Sequence, residues 1–344
     1  MKKKKLLRIA TKIGVASLML ACLALYSLFL RPNILVGKPS KQLHIPRGTS
    51  FRSLQATLLQ KGYLSNATSF YLLARLMRYD RKVRSGVYQL QPNMSNWAVI
   101  RLLRAGIQQP VKMVFHDVKN KAELAHQLTK NLEVSTDAFK QLLDDPDFVR
   151  QYGFEPENVL TMFIPNTYEV YCTIDPKKLF ERMYREYQRF WNEHRRRQAK
   201  NARLTPVEVA ILASMVQSET NKVDEAPLIA GVYINRLRKR IALGSDPTLL
   251  YILDDPTVRR VLSEHRAVDS PYNTYKYRGL PPGPICLPTI AMIDSVLNFS
   301  RHHYLYFSAK EDFSGAHYFT RSFEQHLRNA QRYQRALNRA RIYR

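Results

Sequence analysis

The chain has 344 residues, 45% of them hydrophobic, which suits one or two domains with a real core. Its 54 Lys and Arg against 28 Asp and Glu give a formal net charge of +26, which calls for an anionic partner or surface: nucleic acid, phospholipid or an acidic polymer. Three cysteines without a CxxC and nine histidines without an HExxH argue against metal-ligand spacing, and Cys172 and Cys286 form one disulfide or none.

Residues 1–12 are a basic N-terminus opened by Lys2, Lys3, Lys4 and Lys5. Ile13 to Leu30, "IGVASLMLACLALYSLFL", carries no charge and spans about 27 Å as a helix, close to the hydrocarbon thickness of a bilayer. Lysines and Arg8 precede it, so the positive-inside rule puts the N-terminus in the cytoplasm and everything after Arg31 outside. No A-x-A cleavage site precedes "LFLRPN", which favours an uncleaved anchor over a signal peptide. The charge then faces anionic lipid and wall polymer, not nucleic acid.

Residues 31–40, with Pro32, Gly37 and Pro39, read as a linker. Residues 41–107 form a small α+β unit. It has an apolar start, a turn at Pro46-Arg47-Gly48, a helix from about Ser50, a second after "SNATSF", a strand through Val87 and Leu90, and a third helix ending at Gly106. In the connecting region 108–154, residues 111–117 alternate like a strand and 122–150 read as helical. From 155 to 344 a larger α+β region follows. Pro165 to Tyr171 turns into a strand, and 177–199 is predicted to be one charged helix with aromatics on one face. The last 24 residues, from Arg321, carry seven Arg and one Glu, a pattern commoner on a solvated helix than in a binding site.

The best-signalled helix runs from Thr205 to Thr220. Thr205 is the N-cap, Pro206 suits the first helical position and Glu208 completes a capping box. Val209, Leu212 and Val216 form a stripe, and Glu219 projects from that apolar side. A Glu at a helix end is ordinarily solvated. Here helix polarity and an apolar surround both work against its charge and raise its pKa, as a general acid requires.

"ILASMVQSET" (211–220) is followed in order by "IAGVYINRL" (229–237), "SDPTLLY" (245–251), "SPYNTYKYRGLPPGPI" (270–285), "YLYF" (304–307) and "GAHYFT" (315–320). This ordered set closely resembles the MltG family (YceG-like), the membrane-anchored endolytic murein transglycosylases. The resemblance covers most of the chain. It implies a membrane anchor, a LysM-like unit near 41–107 and a catalytic domain over 155–344. It also implies cleavage of the MurNAc-β-1,4-GlcNAc bond of peptidoglycan without water, leaving 1,6-anhydro-MurNAc. Glu219 matches the family's single catalytic Glu, acid first and then base on the C6 hydroxyl. No cofactor or metal is implied. Action beside cell-wall synthases on nascent glycan is.

Polar residues of the flanking motifs are candidate glycan contacts: Asn235, Asp246, Thr248, Tyr272, Asn273 and Tyr275. Asp246-Pro247-Thr248 is expected to form a tight turn, and Asn235 could equally brace the fold. The chain departs from the family's usual pattern at Thr161–Tyr168 and at Gly244. Two alternatives stay open: a glycoside hydrolase pairing Glu219 with Asp246 or Glu225, and a non-enzymatic wall-binding scaffold. A nucleic-acid protein fits least, since no binding-module signature is present.

Overall fold

The computed structural model describes residues 2–37, 39–258, 261–340 and 342. The side chains of residues 2–8, which include Lys2–Lys5 and Arg8, and, at the C-terminal end, Arg341 and Arg344 lie outside what is described. The chain forms two compact units: Met1–Lys112 with Asn131–Val134 and Glu169–Ile174, and Met113–Lys130 with Ser135–Tyr168 and Asp175–Arg344. Most of the expected connecting region thus belongs to the same unit as the residues after 155.

The first unit opens with α1 (Lys2–Phe29), whose stretch Ile9–Phe29 is long and apolar enough to cross a membrane and has no buried residue. β1 (Lys41–Ile45) pairs antiparallel with β2 (Gly86–Leu90), Lys41 opposite Leu90 and Ile45 opposite Gly86. α2 (Phe51–Gln60) and α3 (Ala67–Leu76) connect the two strands, and α4 (Asn96–Ala105) follows. Each helix starts where a side-chain oxygen, of Ser50, Asn66 or Ser95, accepts the backbone N–H three residues on. Gly106, at φ +70°, ends α4 in the left-handed conformation glycine tolerates best. The core gathers Leu43, Leu58, Phe70, Leu73, Tyr88 and Ile100. Ile34 and Val36, from the stretch expected as a linker, are buried in the same core. Asn33 pins that stretch there: its Nδ2 donates to Asn96 Oδ1 at 2.6 Å, and its Oδ1 accepts from Asn66 N.

β3 (Val111–Val114) and β4 (Thr167–Val170) form a second two-stranded sheet. The helical stretch predicted over 122–150 is three helices, α5 (Lys121–Thr129), α6 (Thr136–Asp144) and α7 (Pro146–Arg150), restarted by the caps Ser135 and Asp145. The single charged helix predicted over 177–199 is also broken. α8 (Pro176–Phe190) stops at buried Trp191, and Asn192, extended at ψ 173°, caps a new helix, α9 (Glu193–Ala202).

α10 (Pro206–Glu219) is the centre of the second unit, packed by α11 (Ala226–Arg238), α12 (Asp246–Leu253) and α13 (Ile290–Leu297). The capping box at Thr205 and Glu208 is present in both directions. Every residue from Val209 to Val216 is buried, so the expected apolar stripe is in fact an apolar cylinder. The expected tight turn at Asp246–Thr248 is instead the first turn of α12, because Pro247 suits a helix start. The hairpin β5 (Tyr306–Ala309) and β6 (His317–Thr320) carries α14 (Phe323–Arg339), the Arg-rich helix.

Removing the Thr205 hydroxyl in Thr205→Ala should cost about 1 kcal/mol of stability. A lower thermal midpoint of the full-length protein, with the far-ultraviolet dichroism of the folded state retained, is the expected readout.

Candidate active site

Glu219 is the last residue of α10. The residue is partly accessible to solvent. Oε1 accepts two hydrogen bonds, from Tyr233 Oη at 2.6 Å and from Ser245 Oγ at 2.6 Å. Among the described residues no hydrogen bond reaches Oε2. Burial pushes the Glu219 pKa up. The bonds from Ser245 and Tyr233 and the charge of His317 oppose the rise, and Asp246 adds to it. The same burial, with the neighbouring carboxylate, holds the Tyr233 hydroxyl protonated far above its ordinary range.

Each partner is fixed in turn. Tyr233, on α11, is 1% exposed and meets Phe307 of β5 edge-on, with ring centroids 5.7 Å apart. Ser245 occupies the N-cap position of α12 yet makes no side-chain cap, because its hydroxyl is turned to Glu219. A buried threonine pair holds it. Ser245 N donates to Thr274 Oγ1 at 2.9 Å, Thr248 Oγ1 donates to Ser245 O at 2.8 Å, and the two hydroxyls bond at 2.9 Å. Gly244 approaches this point at φ +55°, and a Cβ there would lie 3.4 Å from the Tyr275 ring and 3.5 Å from the Arg236 guanidinium. A side chain would fit there at ordinary contact distance, so it is the left-handed backbone that favours glycine at this departure from the family pattern.

The candidate glycan contacts divide. Thr248 is spent on Ser245 and Thr274. Asn273 is fully buried, its Nδ2 donating to the carbonyls of Arg266 and Val268. Asn235 Nδ2 donates to the carbonyls of His302 and Tyr304. These three side chains brace loops. Tyr275 donates its hydroxyl to exposed Asp246. Tyr272 lines an open cavity of about 860 Å³ and pairs with Tyr251, with ring centroids 4.9 Å apart. Ser218, beside Glu219, lines the same cavity with Cys286, Pro247 and Leu250, and Lys119, Glu123, Asp254 and Asp255 add charge to it. Glu225 is engaged by His317, whose backbone N–H and Nδ1 meet its two oxygens at 3.1 and 2.8 Å. Cys22, Cys172 and Cys286 are all free thiols. Around Glu219, among the described residues, no trio of His, Cys, Asp or Glu is close enough to hold an ion.

Tyr233 and Ser245 were not among the expected site residues. Both lie inside the quoted motifs. A Ser before Asp-Pro looks committed to capping, and a Tyr within an apolar helix looks like core.

The pattern of the YceG-like family matches residues 43–332. The chain belongs to the YceG-like family. An endolytic murein transglycosylase of Streptococcus pneumoniae (serotype 2, strain D39) is 27% identical over 315 residues, 83% of this chain and 57% of that protein. The chain thus spans little more than half the length of that relative. An endolytic murein transglycosylase of Bacillus subtilis (strain 168) is 25% identical over 313 residues, 86% of each chain. The crystal structure of a YceG-like protein from Listeria monocytogenes superposes with a TM-score of 0.54 at 25% identity, covering 85% of this chain and 99% of that one. The mixed α+β fold is therefore that of the family.

Ser245→Ala or Tyr233→Phe deletes a donor that favours the ionised carboxyl, so the Glu219 pKa should rise further in each variant. Carbon-13 NMR of the labelled carboxyl against pH reads that shift, and a downward move would contradict the assigned geometry.

Proposed function

We propose that this protein is a membrane-anchored endolytic lytic transglycosylase acting on peptidoglycan glycan strands, with Glu219 as its catalytic residue. The observation that carries the proposal is a desolvated carboxyl whose two hydrogen bonds fall on one oxygen. The other oxygen is left for the proton in transit. The relatives' names, endolytic murein transglycosylase, supply the substrate class.

The chemistry follows from one group used twice. Protonated Glu219 gives its proton to the glycosidic oxygen between MurNAc and GlcNAc as the C1–O bond breaks. The carboxylate left behind takes the proton of the MurNAc C6 hydroxyl, whose oxygen attacks C1 and closes the 1,6-anhydro ring. Atoms balance without water, and Glu219 ends protonated again. The nucleophile is tethered to the carbon it attacks, so no second base is needed. Tyr233 and Ser245 hold the carboxyl in place and moderate its pKa through both steps. The Tyr251–Tyr272 rings offer faces for sugar C–H packing.

The apolar α1 anchors the chain, and the lysines ahead of it favour a cytoplasmic N-terminus with the second unit outside. The β1–α2–α3–β2 order of the first unit fits a LysM-like wall-binding role. Membrane lipid and nascent glycan are then the partners, with cell-wall synthases as neighbours and chain termination as the outcome. The hydrolase alternative keeps one observation in its favour: exposed Asp246 is near enough to raise the Glu219 pKa. Its other pairing, with Glu225, has that carboxylate held by His317.

Purified glycan strands incubated with the full-length protein should give fragments ending in anhydro-MurNAc, each lighter by one water than a hydrolysis product. Mass spectrometry showing water-added ends would reject the transglycosylase. Glu219→Gln should lower the rate by roughly 10²–10⁴-fold or more. Unchanged wall remodelling in cells carrying it would favour a scaffold.

The same substitution has a stability signature. Folding raises the Glu219 pKa, so the folded state loses stability as pH climbs from the unfolded value, about 4.3, through the raised one. Gln carries no such penalty and can still accept both hydrogen bonds. Glu219→Gln should therefore match the parent protein in acid and exceed it in thermal midpoint at pH 8.

A further inference from the structure

We infer that His44, Glu133 and Cys172 form a divalent-cation site in the first unit, with zinc the ion their donor set suits. The three residues are far apart in sequence, which is why spacing alone does not reveal them. His44 Nε2, a Glu133 carboxylate oxygen and Cys172 Sγ all lie within 4.8 Å of one another. Imidazole, carboxylate and thiolate are the three side-chain types that bind zinc, at about 2.0–2.3 Å in tetrahedral order. Such bonds place ligand atoms roughly 3.3–3.8 Å apart. The Nε2–Oε1 distance is already 3.3 Å.

Two further observations favour an ion here. Glu133 Oε2 is buried and accepts no hydrogen bond, although the Arg47 Nε stands 3.4 Å from it. Arg47 also fixes Glu133 from behind: its backbone N–H donates to Oε1 at 3.1 Å, while its terminal nitrogen turns to the carbonyls of Thr173 and Ile174. Second, the first unit is assembled from three separate stretches, and each supplies one ligand. His44 comes from Met1–Lys112, Glu133 from Asn131–Val134 and Cys172 from Glu169–Ile174. The Glu133 N–H already bonds the Cys172 carbonyl at 2.8 Å, so two ligands share a backbone brace. An ion at their meeting point would staple the unit together. The Cys172 thiol gives its proton to solvent on binding, and the thiolate and Glu133 together balance the two charges of the ion. His44, with half its side chain exposed, is the side from which the ion arrives and where solvent completes the coordination.

Full-length protein in detergent, stripped with chelator, is titrated with cobalt(II) and then zinc(II). Expected are one bound cobalt with a thiolate-to-metal charge-transfer band, displacement by zinc, and a higher thermal midpoint with zinc. Cys172→Ser should lose the band, while Cys22→Ser and Cys286→Ser keep it. His44→Ala and Glu133→Gln should bind zinc about tenfold or more weakly, at least the cost typical of losing a group that only supports a ligand. His44 is an exposed position, so that variant keeps the test valid if Cys172→Ser does not fold. Absence of a thiolate band, or zinc affinity unchanged in His44→Ala, overturns the site and leaves an ion-pair cluster around Arg47.

Discussion

The second unit is organised around an expensive act: placing a carboxyl where burial strips away part of its hydration. Glu219 stands at the end of a helix whose middle, Val209 to Val216, is fully buried, and no side chain of α10 itself bonds the carboxyl. Two hydroxyls from elsewhere do, one on α11 and one at the start of α12. Net hydrogen bonds to a charged group are worth roughly 1.5–3 kcal/mol each, against several for burying an isolated charge. The balance leaves a group that holds its proton more firmly than an exposed glutamate, yet can release it. Much of the surrounding architecture makes sense as support for those two donors. Phe307 steadies the tyrosine, and Thr248, Thr274 and Gly244 steady the serine.

Much of this was legible in the chain. Local rules decided the ends of helices: Ser50, Asn66, Ser95 and Thr205 cap where side-chain chemistry says they should, and Gly106 stops α4. The place of Glu219 relative to Leu212 and Val216 is a matter of helix geometry, while its proposed role rests on the resemblance of the ordered motif set. Failures came where tertiary packing overrode local pattern. The charged run from 177 to 199 has continuous helical periodicity, but Trp191 buries itself and Asn192 offers a competing cap, so two helices form. The linker's Pro and Gly signalled a turn-rich stretch and said nothing of Ile34 and Val36 entering the core.

The site residues repeat that division. Polar side chains in these motifs invite assignment to a sugar, yet Asn235 and Asn273 use their donors on backbone carbonyls of loops, and Thr248 uses its own on the carbonyl of Ser245 at the start of its helix. Long loops bury carbonyls that only side chains can satisfy, and motif residues do that work. Conversely, Tyr233 and Ser245 were hidden because each has an ordinary structural role that suits its position. Which role a hydroxyl serves depends on where its neighbour in space lies, and that information is not local.

Ser245 shows where that ambiguity leads. A helix start without its cap forgoes about 1 kcal/mol, so α12 is weaker than its sequence allows. Any search for thermostable variants would be drawn to Ser245→Asp, since aspartate is among the best caps. That change would set a second negative charge against Glu219 and remove the hydroxyl that steadies it. Selection for robustness and selection for turnover therefore pull this one position in opposite directions. A hardened version of the protein must find its stability elsewhere in the fold.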